Sequence, residues 1–267
     1  MIDSLAVQTS ATSRRRPPRR AAAALFAAAA AALALGGCAR LTGVEAPATA
    51  RLADGAGKAG PVTPVDCRTA RCVALTFDGG PSEPTPRLLD LLEREKVHAT
   101  FFLQGKGHTD TYPDTVRRMA AEGHEIANHT WSHAKLTDLS AAEIREEIRP
   151  VQEDVKRLTG RTPNLMRPPQ GATDDKVSKT LRELGLAQVL WSVTAKDYQT
   201  TDTALITKRI LDGTKRDGIV LLHERYAGTI PAVPEIIKVL RERGFTFVTV
   251  SQLLAPAGPK PGAVYRP

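Results

Sequence analysis

The feature that most constrains the fold of this 267-residue chain is a regular alternation of short apolar runs with longer amphipathic segments. The apolar runs have the composition of buried strands and cover residues 73–77, 99–103, 125–127, 164–166, 188–193, 219–222 and 245–250. The segments between them are typical of helices and cover residues 85–95, 112–122, 141–158, 176–184, 204–211 and 234–243. This order predicts a single α/β domain with a parallel sheet, either open or closed into a barrel.

Helix-end signals support this division of the chain. Ser140 and Glu143 match a capping box at the start of the third helical segment, and a glycine follows four of the helical segments. Pro150 lies inside the third segment and predicts a kink or a break there.

The first 37 residues have the pattern of an export signal. A cluster of arginines precedes the apolar run 21–35, which ends at small residues and is too short to span a bilayer comfortably. The ending Leu-Gly-Gly-Cys38 resembles a bacterial lipobox, so we expect Cys38 to be lipidated as the first mature residue. An ordinary cleaved signal and an uncleaved apolar anchor are the alternatives. We therefore expect a protein anchored by lipid to the outer face of the bacterial cell membrane, or secreted if the lipobox is not used.

The net charge of +8 is partly a property of this signal. Residues 1–37 carry a net charge of +4, so the mature chain keeps only about +4. An excess of this size does not indicate a nucleic-acid partner and is compatible with work near anionic wall polymers or lipid headgroups.

Composition divides the rest of the chain. Residues 38–65 contain few bulky apolar residues and predict a flexible tether, residues 66–256 form the folded domain, and residues 257–267 form an irregular tail. Cys67 and Cys72 are a close pair in an exported protein, which predicts a small disulfide, with two free thiols as the alternative.

Polar residues follow the predicted strands at their carboxyl ends. Because these ends share one rim in parallel sheets and barrels, the sequence predicts that the polar side chains converge. They are Asp78, Asn128, His129, Arg167, Asp197 and His223.

Each of these residues also has a purely structural interpretation. His129 and His133 are four residues apart and would meet on one face if the segment is helical, where they could hold Zn²⁺ or a similar ion, but they could equally be ordinary histidines. Asp78 could act as general base on a water molecule or simply cap the Gly-Gly-Pro turn that follows it. Arg167, in the stiff sequence Arg-Pro-Pro-Gln-Gly, could orient a carboxylate or lie in a surface turn. His223 could be a general acid or a buried structural histidine.

Five ordered motifs resolve these alternatives through a resemblance. The sequences Thr-Phe-Asp-Gly-Gly-Pro, His-Thr-Trp-Ser-His, Arg-Pro-Pro-Gln-Gly, Asp-Tyr and Ile-Val-Leu-Leu-His occur in the order found in the polysaccharide deacetylases. This is carbohydrate esterase family 4, the family of the NodB-homology domain. The resemblance covers residues 72–254 and implies a distorted (β/α)7 barrel like that of triosephosphate isomerase. It also implies metal-dependent removal of N- or O-acetyl groups from polysaccharides.

The resemblance assigns roles to individual residues. Asp78 takes the place of the catalytic base, and His129 and His133 match the metal-binding histidines. Arg167 matches the arginine that positions the base, and Asp197 the acid that tethers that arginine. The remaining expectations are that the Gln170 N–H helps to hold the oxyanion, that Tyr198 lines the acetyl pocket and that His223 protonates the leaving group.

One position departs from the family pattern. The family's first motif usually has a second aspartate, the third metal ligand, where this chain has Gly79. The expected cofactor is a divalent metal, with zinc first and cobalt or another divalent ion as alternatives. Because Gly79 lacks a carboxylate, the alternative function is a glycan-binding pseudo-deacetylase.

The expected partner is an acetylated polysaccharide, either peptidoglycan, a chitin-like oligomer or acetylated xylan. We expect the protein to be a monomer that reaches the membrane only through its lipid anchor.

Overall fold

The computed structural model describes residues 43–51 and 65–267. In this part of the chain the strands are β1 Val44–Glu45, β2 Arg71–Gly80, β3 Thr100–Leu103, β4 Glu125–Asn128, β5 Leu165–Met166, β6 Ala187–Val189, β7 Val193–Thr194, β8 Gly218–Leu222, β9 Phe245–Phe247 and β10 Val264–Tyr265. The helices are α1 Pro47–Ala50, α2 Thr85–Arg94, α3 Pro113–Ala121, α4 Ala141–Thr159, α5 Asp175–Glu183, α6 Thr203–Gly213, α7 Thr229–Glu242 and α8 Val250–Leu254.

The strands form one parallel sheet that curls into an incomplete barrel. Its order is β1-β10-β6-β5-β4-β3-β2-β8-β7, and β9 pairs with the amino-terminal half of β2. β2 lies near the centre of this order, and all of its residues after Arg71 are buried. The predicted α/β barrel with a single parallel sheet is therefore confirmed.

The helices pack on the sheet through apolar faces. Leu88, Leu89 and Leu92 of α2 are fully buried against the same core as Phe77 and Phe101, whose rings stack 5.3 Å apart. Each buried side chain of this size stabilises the fold by roughly 1.5–3 kcal/mol relative to leaving it exposed. This packing holds the sheet as a rigid base for the residues at its carboxyl edge.

Three predicted elements differ from the structure. The run 188–193 is divided into β6 and β7, and the run 245–250 ends as a strand at Phe247, since α8 begins at Val250. α4 passes through Pro150 as one helix, so the predicted break is absent. The capping box of Ser140 and Glu143 is present.

Parts of the predicted tether and tail form regular secondary structure in the described residues. β1 pairs with β10, and β10 pairs with β6, so both ends of the described chain add strands to the sheet. The side chain of Arg51 is buried and its Nη2 lies 2.8 Å from Asp217 Oδ2. The prediction of a wholly flexible segment 38–65 is therefore wrong for residues 44–51, and the domain extends beyond 66–256.

The predicted Cys67–Cys72 disulfide is present and joins Cys72, the second residue of β2, to the turn that precedes the strand. The predicted signal 1–37 and the lipidation site Cys38 lie outside the described residues. Within residues 43–51 and 65–267, no helix combines the length and the apolar character that a membrane span requires.

Candidate active site

Strand register brings the polar residues together at the carboxyl edge of the sheet. Phe77 of β2 is paired with Leu222 of β8, so Asp78 and His223 follow neighbouring positions. On the other side of β2, Leu103 of β3 is paired with Asn128 of β4, and Asn128 is paired with Met166 of β5. His129 and Arg167 follow these paired residues directly. The predicted convergence at one edge therefore matches the geometry of the sheet.

Asp78 and Arg167 form a buried ion pair at the centre of the site. Arg167 is fully buried, and its Nη1 donates to Asp78 Oδ1 over 2.6 Å and to Thr76 Oγ1 over 2.8 Å. Its Nε donates to the carbonyl of Val189, and its Cζ lies 4.1 Å from the centre of the Phe102 ring. These contacts hold the guanidinium in one orientation, so Asp78 presents its other oxygen to the site.

His129 is held so that one ring nitrogen faces Asp78. Its Nδ1 lies 2.7 Å from the carbonyl oxygen of Arg167 and donates to it, and its Nε2 lies 3.8 Å from Asp78 Oδ2. Burial lowers the pKa of His129 to about 4. The ring is therefore neutral at neutral pH, with its Nε2 lone pair directed into the site.

His133 reaches the site by a turn and not by a helix. The rings of His129 and His133 lie 5.0 Å apart, although the segment between them is not helical. Thr130 and His133 have φ of +69° and +64°, and the His133 N–H donates to Thr130 Oγ1. Asn128 Oδ1 accepts from the Thr130 N–H. Side-chain hydrogen bonds to the backbone therefore fold this loop and place the two imidazoles together.

Asp197 pairs with His223, the third histidine of the site. Its Oδ1 lies 2.8 Å from His223 Nδ1, and its Oδ2 accepts from the His223 N–H over 2.6 Å and from Thr229 Oγ1 over 2.8 Å. The predicted tether between Asp197 and Arg167 is not formed in the described part of the chain, since Arg167 donates to Val189, Thr76 and Asp78. The structure instead contains a carboxylate–imidazole pair that fixes the ring and leaves Nε2 free.

The rim of the site contains the two residues expected to contact substrate. Tyr198 is 50% exposed, and its ring lies 5.9 Å from that of His223. Gln170 is exposed in a turn with φ of +60°. The oxyanion role of the Gln170 N–H and the pocket role of Tyr198 remain predictions.

Glu224 is a site residue that sequence reasoning missed. It is buried, its Oε1 accepts from Thr85 Oγ1 over 3.0 Å, and its Oε2 has no partner within the described residues. A methyl group at Gly80 would come within 1.8 Å of Oε1, so the carboxyl group lies directly against the backbone of β2. Burial, and to a smaller extent the charge of Asp78, raises the pKa of Glu224 to about 7. Its position directly after His223 was the available signal.

This raised pKa predicts how stability depends on pH. The carboxyl group has an ordinary pKa of 4.5 in the unfolded chain and about 7 in the fold. Between these values the unfolded chain loses a proton that the folded chain keeps, so stability falls as the pH rises. The penalty is complete above pH 7 and amounts to about 3 kcal/mol. Glu224→Gln cannot ionise, so it should gain this amount over the wild type between pH 4.5 and pH 8.

Urea unfolding at several pH values measures this difference. Exposed Glu153 provides the control Glu153→Gln, whose stability should stay parallel to that of the wild type across the same range. Parallel curves for Glu224→Gln as well would contradict the raised pKa.

The metal implied by the family resemblance can be tested against the residues of the site. His129 and His133 supply imidazole nitrogens, but Gly79 supplies no carboxylate, and Asp78 is already paired with Arg167. A side chain at Gly79 would meet the guanidinium of Arg225, whose Nη1 lies 3.5 Å from the Cβ position. No group of three or more possible ligands is found in the part of the chain that the structure describes. The guanidinium of Arg225 beside the third ligand position would repel a divalent metal ion, so the residues of this site do not fit a firmly held metal.

Comparisons with known proteins agree with the geometry. Residues 66–189 match the sequence model of the family described as polysaccharide deacetylase. The chain is 37% identical over 187 residues to the peptidoglycan-N-acetylglucosamine deacetylase PgdA of Listeria monocytogenes. The match covers 70% of this chain but 39% of that protein, so the chain corresponds to well under half of this relative.

Two solved structures add to this similarity. The peptidoglycan deacetylase PdaC of Bacillus subtilis is 37% identical, with a TM-score of 0.66, and the match covers 71% of this chain and 92% of that one. A mutant of a CE4 family pseudoenzyme with restored enzymatic activity is 26% identical, with a TM-score of 0.67 and coverage of 70% and 69%. On the sequence match and the shared fold, the chain belongs to the polysaccharide deacetylase family.

Proposed function

We propose that this protein hydrolyses acetyl groups from a polysaccharide of the cell envelope or its surroundings. The observation that carries the proposal is the presence of two oriented acid–base pairs at one sheet edge. One pair is Asp78 with Arg167, and the other is His223 with Asp197. A base and an acid on two sides of one site are what the hydrolysis of an amide or an ester needs.

The first step is addition of water to the acetyl carbonyl. Asp78 takes a proton from the water as the water oxygen bonds to the carbonyl carbon, and the carbonyl oxygen becomes an oxyanion. Arg167 supports this step because it orients the carboxylate through a hydrogen bond of 2.6 Å. An N–H group at Gln170 is available on the rim for the oxyanion.

The second step breaks the bond to the sugar. As the oxyanion collapses, the carbon–nitrogen or carbon–oxygen bond breaks, and the imidazolium of His223 gives its proton to the departing amine or alcohol. Asp197 stabilises that imidazolium through Nδ1 and keeps the ring in place. The products are acetate and the deacetylated sugar, and the proton on Asp78 returns to His223 through solvent.

The substrate class follows from the relatives and the rim. PgdA and PdaC, named above, are peptidoglycan deacetylases, which supports a wall glycan as the first substrate to test, followed by chitin-like oligomers and acetylated xylan. The exposed ring of Tyr198 beside His223 can pack against a sugar ring. A lipid anchor at Cys38 would place this site at the outer face of the cell membrane, near a wall glycan.

Acetate release from N-acetylglucosamine oligomers, peptidoglycan and acetylated xylan tests the proposal. Each substrate is assayed in chelator and with added Zn²⁺ or Co²⁺, and we expect acetate from at least one of them. No acetate from any substrate under any of these conditions would reject the hydrolase.

A second function is favoured by Gly79 and Arg225. A site that lacks a third metal ligand and carries a guanidinium in its place is compatible with a glycan-binding protein that has lost turnover. Binding of the same oligomers without acetate release, measured by calorimetry, would support this pseudo-deacetylase.

A further inference from the structure

A side chain at position 79 would contact Arg225. Gly79 follows Asp78 at a shift in the β2–β3 register and has φ of +75°. A Cβ at this position would lie 3.5, 3.6 and 3.8 Å from Nη1, Cζ and Nη2 of Arg225. These are ordinary contact distances, so a side chain at position 79 would lie against the guanidinium. The place of the missing carboxylate is therefore filled.

Arg225 is an exposed residue whose guanidinium lies beside Gly79 and has no acidic partner within the described residues. Within the described residues Arg225 makes no ion pair, and its Nη2 donates only a long hydrogen bond of 3.4 Å to the Tyr226 hydroxyl. Its Cζ lies 5.2 Å from the centre of the Tyr226 ring, which supports the planar group. A guanidinium beside position 79 opposes a divalent cation held at the same place.

We propose that the guanidinium of Arg225 occupies the position of the third metal ligand. In place of a metal ion, it is itself the cationic group of this site and binds the acetyl oxygen. A guanidinium offers several N–H donors to an oxygen that gains negative charge, which is the electrostatic task in this reaction. The site then needs no firmly bound divalent ion. The contact of Arg225 with the acetyl oxygen rests on the proposed deacetylase function. The occupation of the ligand position does not, because it can be tested by metal binding without turnover.

Zinc binding by the full chain tests the filled position. Isothermal titration with Zn²⁺ compares the wild type with Gly79→Asp, Arg225→Ala and the double variant. In Gly79→Asp the new carboxylate should pair with Arg225, so affinity should rise less than about fivefold. Removal of Arg225 as well should free that carboxylate and raise affinity about 100-fold or more over the wild type. Strong non-additivity is the expected result.

Two control variants separate this effect from side effects. Gly160 has φ of +74°, close to that of Gly79, and open space around its Cβ position. Gly160→Asp therefore introduces an aspartate with the same backbone strain but with no Arg225 beside it. Exposed Arg161 provides Arg161→Ala as the control for loss of one arginine. Neither control should change zinc affinity. Tight zinc binding by the wild type, or equal gains in Gly79→Asp and the double variant, would overturn the inference.

Kinetics on a neutral substrate test the role of the guanidinium. With N-acetylglucosamine oligomers, which carry no carboxylate, Arg225→Ala should lower kcat about 100-fold in chelator, and Arg225→Lys should recover part of it. An unchanged kcat would reject contact with the acetyl oxygen. If the wild type is inactive under every condition, the hydrolase proposal fails, but the zinc titrations still decide whether Arg225 fills the ligand position.

Discussion

The Asp78→Asn variant is expected to release acetate about 1,000-fold more slowly than the wild type, with little change in KM. The substitution leaves the buried charge of Arg167 without its counter-ion and so lowers stability, but an amide oxygen can still accept the hydrogen bond from Arg167 Nη1. Circular dichroism should therefore confirm that the variant is folded before rates are compared. The substitution removes the group that takes the proton from water. Loss of kcat at constant KM is therefore the signature of a missing base.

The control for this experiment is an exposed aspartate. Asp138 pairs with Lys135 at the surface, and Asp138→Asn should keep full activity. Initial rates on the best substrate of the wild type measure both variants. If Asp78→Asn kept more than a tenth of the wild-type kcat, another group would have to activate the water.

Local patterns were sufficient to predict the regular elements. Apolar runs of four or five residues and amphipathic segments of ten or more carry their periodicity in the sequence, so β2, β8, α2 and α4 lie close to their predicted positions. The two-residue strands β1 and β10 have no such signal. They exist because the sheet offers an unpaired strand edge, which is a property of the fold.

The convergence of the site was predictable for a similar reason. Parallel strands place their carboxyl ends at one edge, so Asp78, His129, Arg167 and His223 were expected to meet there whatever the loops do. The partner of Asp197 was not predictable. A tether to Arg167 and a bond to His223 both require an acid at this point of the chain, and only the coordinates distinguish them.

The position of Arg225 beside Gly79 was even less predictable from the sequence than the partner of Asp197. The residues are far apart in sequence, and neither belongs to a spacing pattern that links them. Sequence comparison alone identifies a missing carboxylate at Gly79 and suggests an empty position. The structure shows a guanidinium against it, which changes the expected effect of Gly79→Asp from a simple gain of a ligand to the formation of an ion pair.

The buried pair of Arg167 and Asp78 gives the largest expected effect on stability. Arg167→Met keeps much of the side-chain volume but leaves Asp78, which is 2% exposed, without its guanidinium. The titratable ring that remains beside Asp78 is that of His129, 3.8 Å away, and this ring is neutral at neutral pH. Removal of one partner of a buried pair costs about 3–5 kcal/mol, because the other charge stays buried and unpaired.

A double-mutant cycle measures how much of this cost comes from the pair. Urea unfolding of the wild type, Arg167→Met, Asp78→Asn and the double variant should give a coupling energy of about 2 kcal/mol or more. The exposed pair of Lys208 and Asp212 is the matched control, and the cycle of Lys208→Met with Asp212→Asn should give less than about 1 kcal/mol. Additive effects at Arg167 and Asp78 would show that the arginine stabilises the fold through Val189 and Phe102 and that its pairing with the base adds nothing.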